Sequence, residues 1–388
     1  MSDSSTSIFT TMTALAERTG AINLGQGFPD TDGPAEVIQA AADALRAGHN
    51  QYASLPGIPA LRRAIAEHQA RHYGLALDAE SQVQVTFGAT EGLASALLAL
   101  VKPGDEVLVL DPSYDSYGPI IRLAGGVART IALEPPDWRV ESEALRAGVS
   151  PATKMLLLNS PHNPTGRVFD AQELALLAGV CREHDLIALT DEVYEHLTYG
   201  HRHVPLATLP GMWDRTVTVS SLGKSYSLTG WKVGWATGPA GLIAAVRSVK
   251  QFLTFAGGTP FQHAAAAALS RHGAAPEQLA LTLSERRDRL AEGLTAIGMR
   301  VLPSQGSYFL NADAAPIGEH DATALCERLP LDAGVVGIPT SVFSVDPAGP
   351  TRSLVRFAFC KRAEVLDQAV ERLAAWAARR EAPSFTAP

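Results

Sequence analysis

Short runs of β-branched and leucine-rich residues alternate with stretches of helical spacing between about residues 80 and 260. Positions 83–87, 106–110, 128–133, 154–159, 186–190, 216–219 and 233–238 read as strands. Several are apolar at consecutive positions, the pattern of a strand covered on both faces. Helical periodicity follows position 88 and fills 240–255, a stretch from 262, and 276–297. Before the first strand, helices are expected at 9–18, 34–47 and 59–72, with Pro34 and Pro59 at their starts and Gly20 and Gly48 beyond ends. After Met299 the style changes. Strands at 300–302, 308–312, 335–338 and 354–359 mix with helices at 322–329 and 363–378. The pattern predicts an α/β protein: a large domain with a mostly parallel, doubly wound sheet, then a smaller α+β domain.

Composition narrows the function classes. The 388 residues are 46% hydrophobic and 19% charged, with a net charge of −8 and no basic block, so nucleic acid is not an expected partner. No apolar run is long enough to cross a membrane. Residues 1–7 lack a basic stretch followed by an apolar one, so no export signal is read. Cys181, Cys326 and Cys360 are odd in number and widely spaced. They fit neither a disulfide framework nor a metal site, and a cytoplasmic protein is expected.

The chemistry-bearing residues cluster at predicted strand ends, where open α/β sheets bind ligands. Lys224 follows the strand at 216–219 within Ser221-Leu222-Gly223-Lys224-Ser225-Tyr226-Ser227, and Lys232 lies eight positions on. A lone lysine in such a loop is usually a solvated charge. Here a second cation and apolar neighbours would lower its pKa and free its amine for a Schiff base. The hydroxyls of Ser221, Ser225 and Ser227, with Lys232, could hold a phosphate. Gly88-Ala89-Thr90 between a strand and a helix is either a plain turn or an anion site at a helix start. Asp191 ends another strand and reads as a helix cap or as the partner of a protonated ring nitrogen. Tyr114 is a surface tyrosine or a stacking platform. Gly25-Gln26-Gly27-Phe28-Pro29 is a turn or a close approach of ligand to main chain. Arg356, among apolar strand neighbours, implies an anionic partner, either a structural carboxylate or a ligand. No Gly-x-Gly-x-x-Gly follows the first strand, which disfavours a dinucleotide fold.

Taken together, Leu24-Gly25-Gln26-Gly27-Phe28-Pro29-Asp30, Asn50-Gln51-Tyr52, Gly88-Ala89-Thr90, Tyr114-Asp115-Ser116-Tyr117, Asn159–Gly166, Asp191-Glu192-Val193-Tyr194, Ser221–Lys224 and Arg356 resemble the fold-type I pyridoxal phosphate enzymes of the class I aminotransferase branch. Within it the chain is similar to the kynurenine aminotransferase/glutamine transaminase K group and to actinobacterial N-succinyldiaminopimelate aminotransferases. The resemblance implies an aspartate aminotransferase-like, seven-stranded sheet. It implies an N-terminal arm (1–38), a cofactor domain (39–280) and a small domain (281–388). It also implies a homodimer with shared sites and pyridoxal 5′-phosphate as cofactor. Lys224 would carry the cofactor and move protons, and Asp191 would pair with the ring nitrogen. Asn163 and Tyr194 would bond the ring oxygen, with Asn159 nearby, and Tyr114 would stack on the ring. Gly88, Ala89, Thr90, Ser221 and Lys232 would hold the phosphate, with Tyr52 reaching the neighbouring subunit's. Arg356, helped by Asn159 or Asn163 and the main chain at Gly27, would hold the substrate carboxylate, and Phe9, Phe255 and Tyr308 would line the side-chain pocket. Phe9 stands where animal kynurenine enzymes carry tryptophan, and Lys232 where several relatives carry arginine. The expected reaction is ping-pong amino transfer from an L-amino acid (aromatic, methionine, glutamine or N-succinyl-diaminopimelate type) to a 2-oxo acid. A β-eliminating C–S lyase on the same scaffold and a non-catalytic ligand sensor are the alternatives. Lys250 and Arg247 are candidate cations for a succinylated side chain. No metal is expected.

Overall fold

The computed structural model describes residues 8–381; the polar start, read above as lacking an export signal, lies outside the described residues. The N-terminal segment carries α1 (Ile8–Thr19) and β1 (Ile22–Asn23), followed by α2 (Ala35–Arg46) and α3 (Pro59–Tyr73). The large sheet is built from β2 (Val83–Phe87), β3 (Glu106–Asp111), β4 (Val127–Ala132), β5 (Thr153–Asn159), β6 (Ile187–Asp191), β7 (Thr216–Ser221) and β8 (Val233–Thr237). Between its strands run α4 (Gly88–Leu100), α5 (Tyr117–Leu123), α6 (Ser142–Ala147), α7 (Ala171–Glu183) and the one-turn α8 (Leu222–Ser225). Next come α9 (Ala240–Lys250), α10 (Thr259–Arg271) and α11 (Ala275–Ala296). The C-terminal part holds β9 (Arg300–Val301), β10 (Phe309–Asp313), α12 (Ala322–Asp332), β11 (Val335–Val336), β12 (Ile338–Pro339), β13 (Leu354–Ala358) and α13 (Ala363–Glu381).

The large sheet has the order β2-β8-β7-β6-β5-β3-β4. All neighbours are parallel except those of β8, which runs antiparallel to both β7 and β2. That single reversal matters for the site, because it sets the amino end of β8 beside the carboxyl ends of the other strands. β5 shows why these strands read as unbroken apolar runs. Leu156 and Leu158 pack into one core beneath the sheet, and Met155 and Leu157 into the other. A smaller antiparallel sheet, β12-β13-β10-β9, packs with α1, α11, α12 and α13 around a third core that includes Met12, Leu24, Leu310 and Phe357. The N-terminal segment is tied to it. The Ala358 amide donates to the Leu24 carbonyl (2.7 Å), and Lys361 Nζ donates to that of Phe28 (2.7 Å). α11 runs unbroken through position 280. Among the described residues no helix is long and apolar enough to cross a membrane, and the three cysteines are buried free thiols.

The α/β architecture is the expected one, with local differences. The helix expected over 240–255 stops at Lys250, whose Nζ turns back onto the Phe255 carbonyl (2.6 Å) while Phe255 takes φ 62°. The strand expected at 335–338 is divided. Val335 and Val336 pair with β1, whereas Ile338 and Pro339 pair with β13. Gly337 makes the switch where a Cβ would lie 2.5 Å from Val355. The helices α5, α6 and α7 were not expected. For α7 the signal was present: Asp170 accepts from the Gln172 and Glu173 amides, and the Glu173 carboxylate accepts from the Asp170 amide, a capping box ahead of an apolar run.

Candidate active site

The carboxyl ends of β2, β3, β5, β6 and β7 and the amino end of β8 surround a cavity of about 320 Å³. Its wall includes Phe9, Gly27, Gly88, Ala89, Thr90, Tyr114, Asn159, Asn163, Asp191, Tyr194, Ser221, Lys224, Lys232 and Arg356. Most residues singled out in the sequence therefore converge on one space, and the register explains how. Asn159 stands opposite Asp191 across β5 and β6, and Ser221 opposite Gly234 across β7 and β8.

Lys224 sits in α8, directly after β7. Its Nζ donates to the Tyr308 hydroxyl (2.7 Å), and that hydroxyl donates to the Gly27 carbonyl. The side chain borders the cavity, yet the surrounding protein strips water from the amine and lowers its pKa to about 8. A fraction of free amine is thus available near neutral pH.

Asp191 is buried. Its Oδ2 accepts from the Tyr117 hydroxyl (2.7 Å) and its Oδ1 from the Val193 amide (3.3 Å). Burial outweighs these bonds and raises the carboxyl to about 6, the condition of an acid that lacks a close cation. Asn159 is locked by donating to the Asp191 carbonyl (2.9 Å) and accepting the Asn163 amide (2.7 Å).

One end of the cavity suits an anion. α4 begins at Gly88 with no side chain capping it, and Ala89 and Thr90 face the cavity. A helix start with free amides attracts negative charge. Lys232, at φ 54°, brings its Nζ to 3.1 Å from where a Cβ on Gly88 would lie. Gly234 lets the strands close, since a Cβ there would sit 2.5 Å from the Gly88 carbonyl carbon. Of the three serines considered for this end, Ser221 lines the cavity; Ser225 and Ser227 lie outside its lining.

At the other end Arg356 is buried between aromatic rings, with Phe309 at 3.9 Å and Phe343 at 4.4 Å from its guanidinium carbon. It donates to Asn163 Oδ1 (2.9 Å) and to the Gly25 carbonyl (3.2 Å), neither of them a carboxylate, and its Nε has no partner. Burial lowers the guanidinium to about 10. A buried cation so placed wants an anionic ligand. Gly27 is equally constrained: a Cβ would come within 2.4 Å of Phe309.

Phe255 and Tyr308, expected to line the side-chain pocket, are not in the cavity wall, and Tyr52, expected to serve the neighbouring subunit, lies outside it as well. Tyr52 is 86% exposed and packs edge-on against Phe255 (5.8 Å), and neither lines the cavity within this chain. Tyr308 reaches the site through its hydroxyl, and its ring meets that of Tyr194 at 5.1 Å. The two cations considered for a succinyl group are engaged away from the cavity. Arg247 bonds Gln84 (2.8 Å), and Lys250 pairs with Glu91 (3.7 Å). Sequence reasoning gave no role to Tyr117 although it quoted the motif, and it passed over Phe309 and Phe343. Their contacts come from distant elements and leave no local pattern.

Residues 19–373 match the family described as aminotransferase class I and II. A probable N-succinyldiaminopimelate aminotransferase of Mycobacterium tuberculosis is 51% identical over 385 residues, covering 96% of this chain and 97% of its own. A solved structure of N-succinyldiaminopimelate aminotransferase from that organism matches with a TM-score of 0.94 over 96% of this chain and 97% of the other. A methionine aminotransferase of Escherichia coli is 43% identical over 95% of each chain, and a mouse kynurenine–oxoglutarate transaminase is 37% identical over 95% of this chain and 88% of its own. The chain belongs to the class I and II aminotransferases, a pyridoxal phosphate-using family whose members pass an amino group from an amino acid to a 2-oxo acid.

Proposed function

We propose that this cavity is the active site and that its residues hold pyridoxal 5′-phosphate, with Lys224 as the attachment point. The observation that carries the reading is a lysine with a depressed pKa facing the same space as a buried, unpaired Asp191 and an uncapped helix start. These residues fit the cofactor at three separate points. The α4 amides, Ser221 and Lys232 suit its phosphate, the Asp191 carboxylate suits a protonated ring nitrogen, and the Lys224 amine suits its aldehyde. Tyr114 offers a ring face, and Asn163 and Tyr194 offer polar atoms for the ring oxygen. When bound, the cofactor supplies an electron sink that makes the α-hydrogen of an amino acid acidic.

The chain's own groups do the rest. Arg356 orients the donor by its α-carboxylate, with Asn163 positioning the guanidinium. Lys224 Nζ, once free, takes the α-proton and holds it for return. Its contact with Tyr308 fixes the direction from which the amine approaches. Asp191, kept in place by Tyr117, would stay ionised beside a protonated ring nitrogen. Alternating donor and acceptor at one site gives ping-pong kinetics.

For the donor we infer an amino acid whose side chain suits the aromatic wall of Phe9, Phe28, Tyr114 and Phe309, of the methionine or aromatic kind. Lys224, Lys232 and Arg356 are the cations among the lining residues, and each already has a task. A second reading, N-succinyl-diaminopimelate, is supported by the relative that is 51% identical. Borohydride reduction followed by peptide mass spectrometry should place the cofactor on Lys224. Bleaching of the visible band by a donor panel should then rank methionine against the succinylated donor. Undiminished turnover in Lys224→Ala would refute the assignment.

A further inference from the structure

Outside the cavity wall, α3 presents His68 and His72 one helical turn apart, and the turn after β6 presents His196. One ring nitrogen from each lies within 4.8 Å of one from each of the other two, and His68 Nε2 and His196 Nε2 are 2.7 Å apart. The three rings form a near-equilateral set, with centroids 4.6, 4.9 and 4.9 Å apart. Without an ion, His68 and His196 share a hydrogen bond between their Nε2 atoms, and the three imidazoles pack against one another. They are the donor set of a trigonal site with an open fourth position.

We propose that His68, His72 and His196 bind a divalent transition metal ion of the zinc class, separate from the amino-transfer site. Tetrahedral zinc with bonds of about 2.0–2.1 Å separates its nitrogen ligands by roughly 3.3–3.4 Å. Closing the site therefore asks the 2.7 Å pair to part by some tenths of an ångström and His72 to swing inward. His72 and His196 are half-buried, and His68 is buried.

The surroundings favour a cation. Glu195 is the main attractive charge on all three rings, and Glu277, in the first turn of α11, adds to it at His72 and His196. Arg71 opposes them at His68 and His72. Glu195 is itself pinned by the Tyr73 hydroxyl (2.6 Å) and the Ser220 hydroxyl (2.5 Å). It stays beside the rings as a fixed carboxylate. An ion here would clip α3 to the turn that follows Asp191.

The test uses untagged holoenzyme stripped with a chelator and titrated with Zn²⁺ by calorimetry, then with Co²⁺ for its visible ligand-field bands. One equivalent per chain is expected. His72→Gln and His196→Gln should each weaken binding by about tenfold or more. His49→Gln, from the stacked His49–His263 pair (3.9 Å) elsewhere on the surface, should leave it intact. Zn²⁺ should raise the unfolding temperature of wild type and not of His72→Gln, and metal-free His72→Gln should transfer amino groups like metal-free wild type. Absence of saturable binding to wild type, or equal binding by all three variants, would overturn the proposal.

Discussion

Tyr117 illustrates how much a single hydroxyl can decide. Its bond to Asp191 Oδ2 works against the burial that raises that carboxyl. Tyr117→Phe removes the donor and pushes the carboxyl higher still. Bonds to charged groups are worth about 1.5–3 kcal/mol, so kcat should fall about tenfold or more and the acid limb of the pH profile should move upward. A profile that keeps its position would show that Tyr117 only fills space. Lys224 allows a complementary measurement on stability. Its folded value near 8 lies below the ordinary 10.5. Below pH 8 the fold must therefore hold an unfavourable ammonium. Between 8 and 10.5 the unfolded chain binds the extra proton, so the stability contributed at this position rises with pH. Cofactor-free Lys224→Met should accordingly unfold at a higher temperature than cofactor-free wild type at pH 7, with the gap closing as pH passes from 8 to 10.5. A gap constant across that range would contradict the assigned shift. Lys224 and Asp191 could be singled out from the sequence because Asp191 ends an obvious strand and Lys224 follows one within three residues. Tyr117 could not be given its task, since its partner lies 74 positions away.

At the scale of elements, the reversed strand β8 shapes the end of the cavity that suits an anion. Gly234 belongs to β8, and its missing Cβ lets that strand lie against Gly88 and Ala89. Gly234→Ala should force β8 and the start of α4 apart and weaken cofactor binding to the apoprotein by about tenfold or more, as overpacking at such a contact costs roughly 1–3 kcal/mol. Gly230→Ala, where nothing lies within 4 Å of the added carbon, is the matched control and should titrate like wild type. Equal affinity of the two variants would remove Gly234 from the cradle. The strands themselves were legible because β-branched runs alternate with helical stretches. The two-residue pairing of β1 with β11 was not, since so few residues carry no period. The split at Gly337 was equally hidden, because which sheet each half joins depends on β1 and β13, far away in sequence.

Across the whole molecule, Tyr52 and Phe255 stand exposed beside Phe252 (83%) and Leu253 (48%), an apolar surface that suits a partner subunit. If Tyr52 serves the neighbouring site, inactive variants should complement. Lys224→Ala mixed with Tyr52→Phe yields hybrid dimers in which one site has both native residues. Activity should recover toward that single site, measured after co-refolding or co-expression. No recovery, with hybrids present by mass, would place Tyr52 outside the shared site. The local alphabet of strand, small-residue turn and helix was settled by the chain's own order of residues, because backbone preference and apolar period act over a few positions. So were the lysine and the aspartate, which follow strands directly. Tertiary structure alone decided that β8 runs backward and delivers Lys232 beside Gly88 at the start of α4, and that Arg356 meets Phe309 and Phe343 instead of a carboxylate. It also set three histidines from two distant elements against one another. Such outcomes depend on packing between segments far apart in sequence, where no short-range pattern reaches.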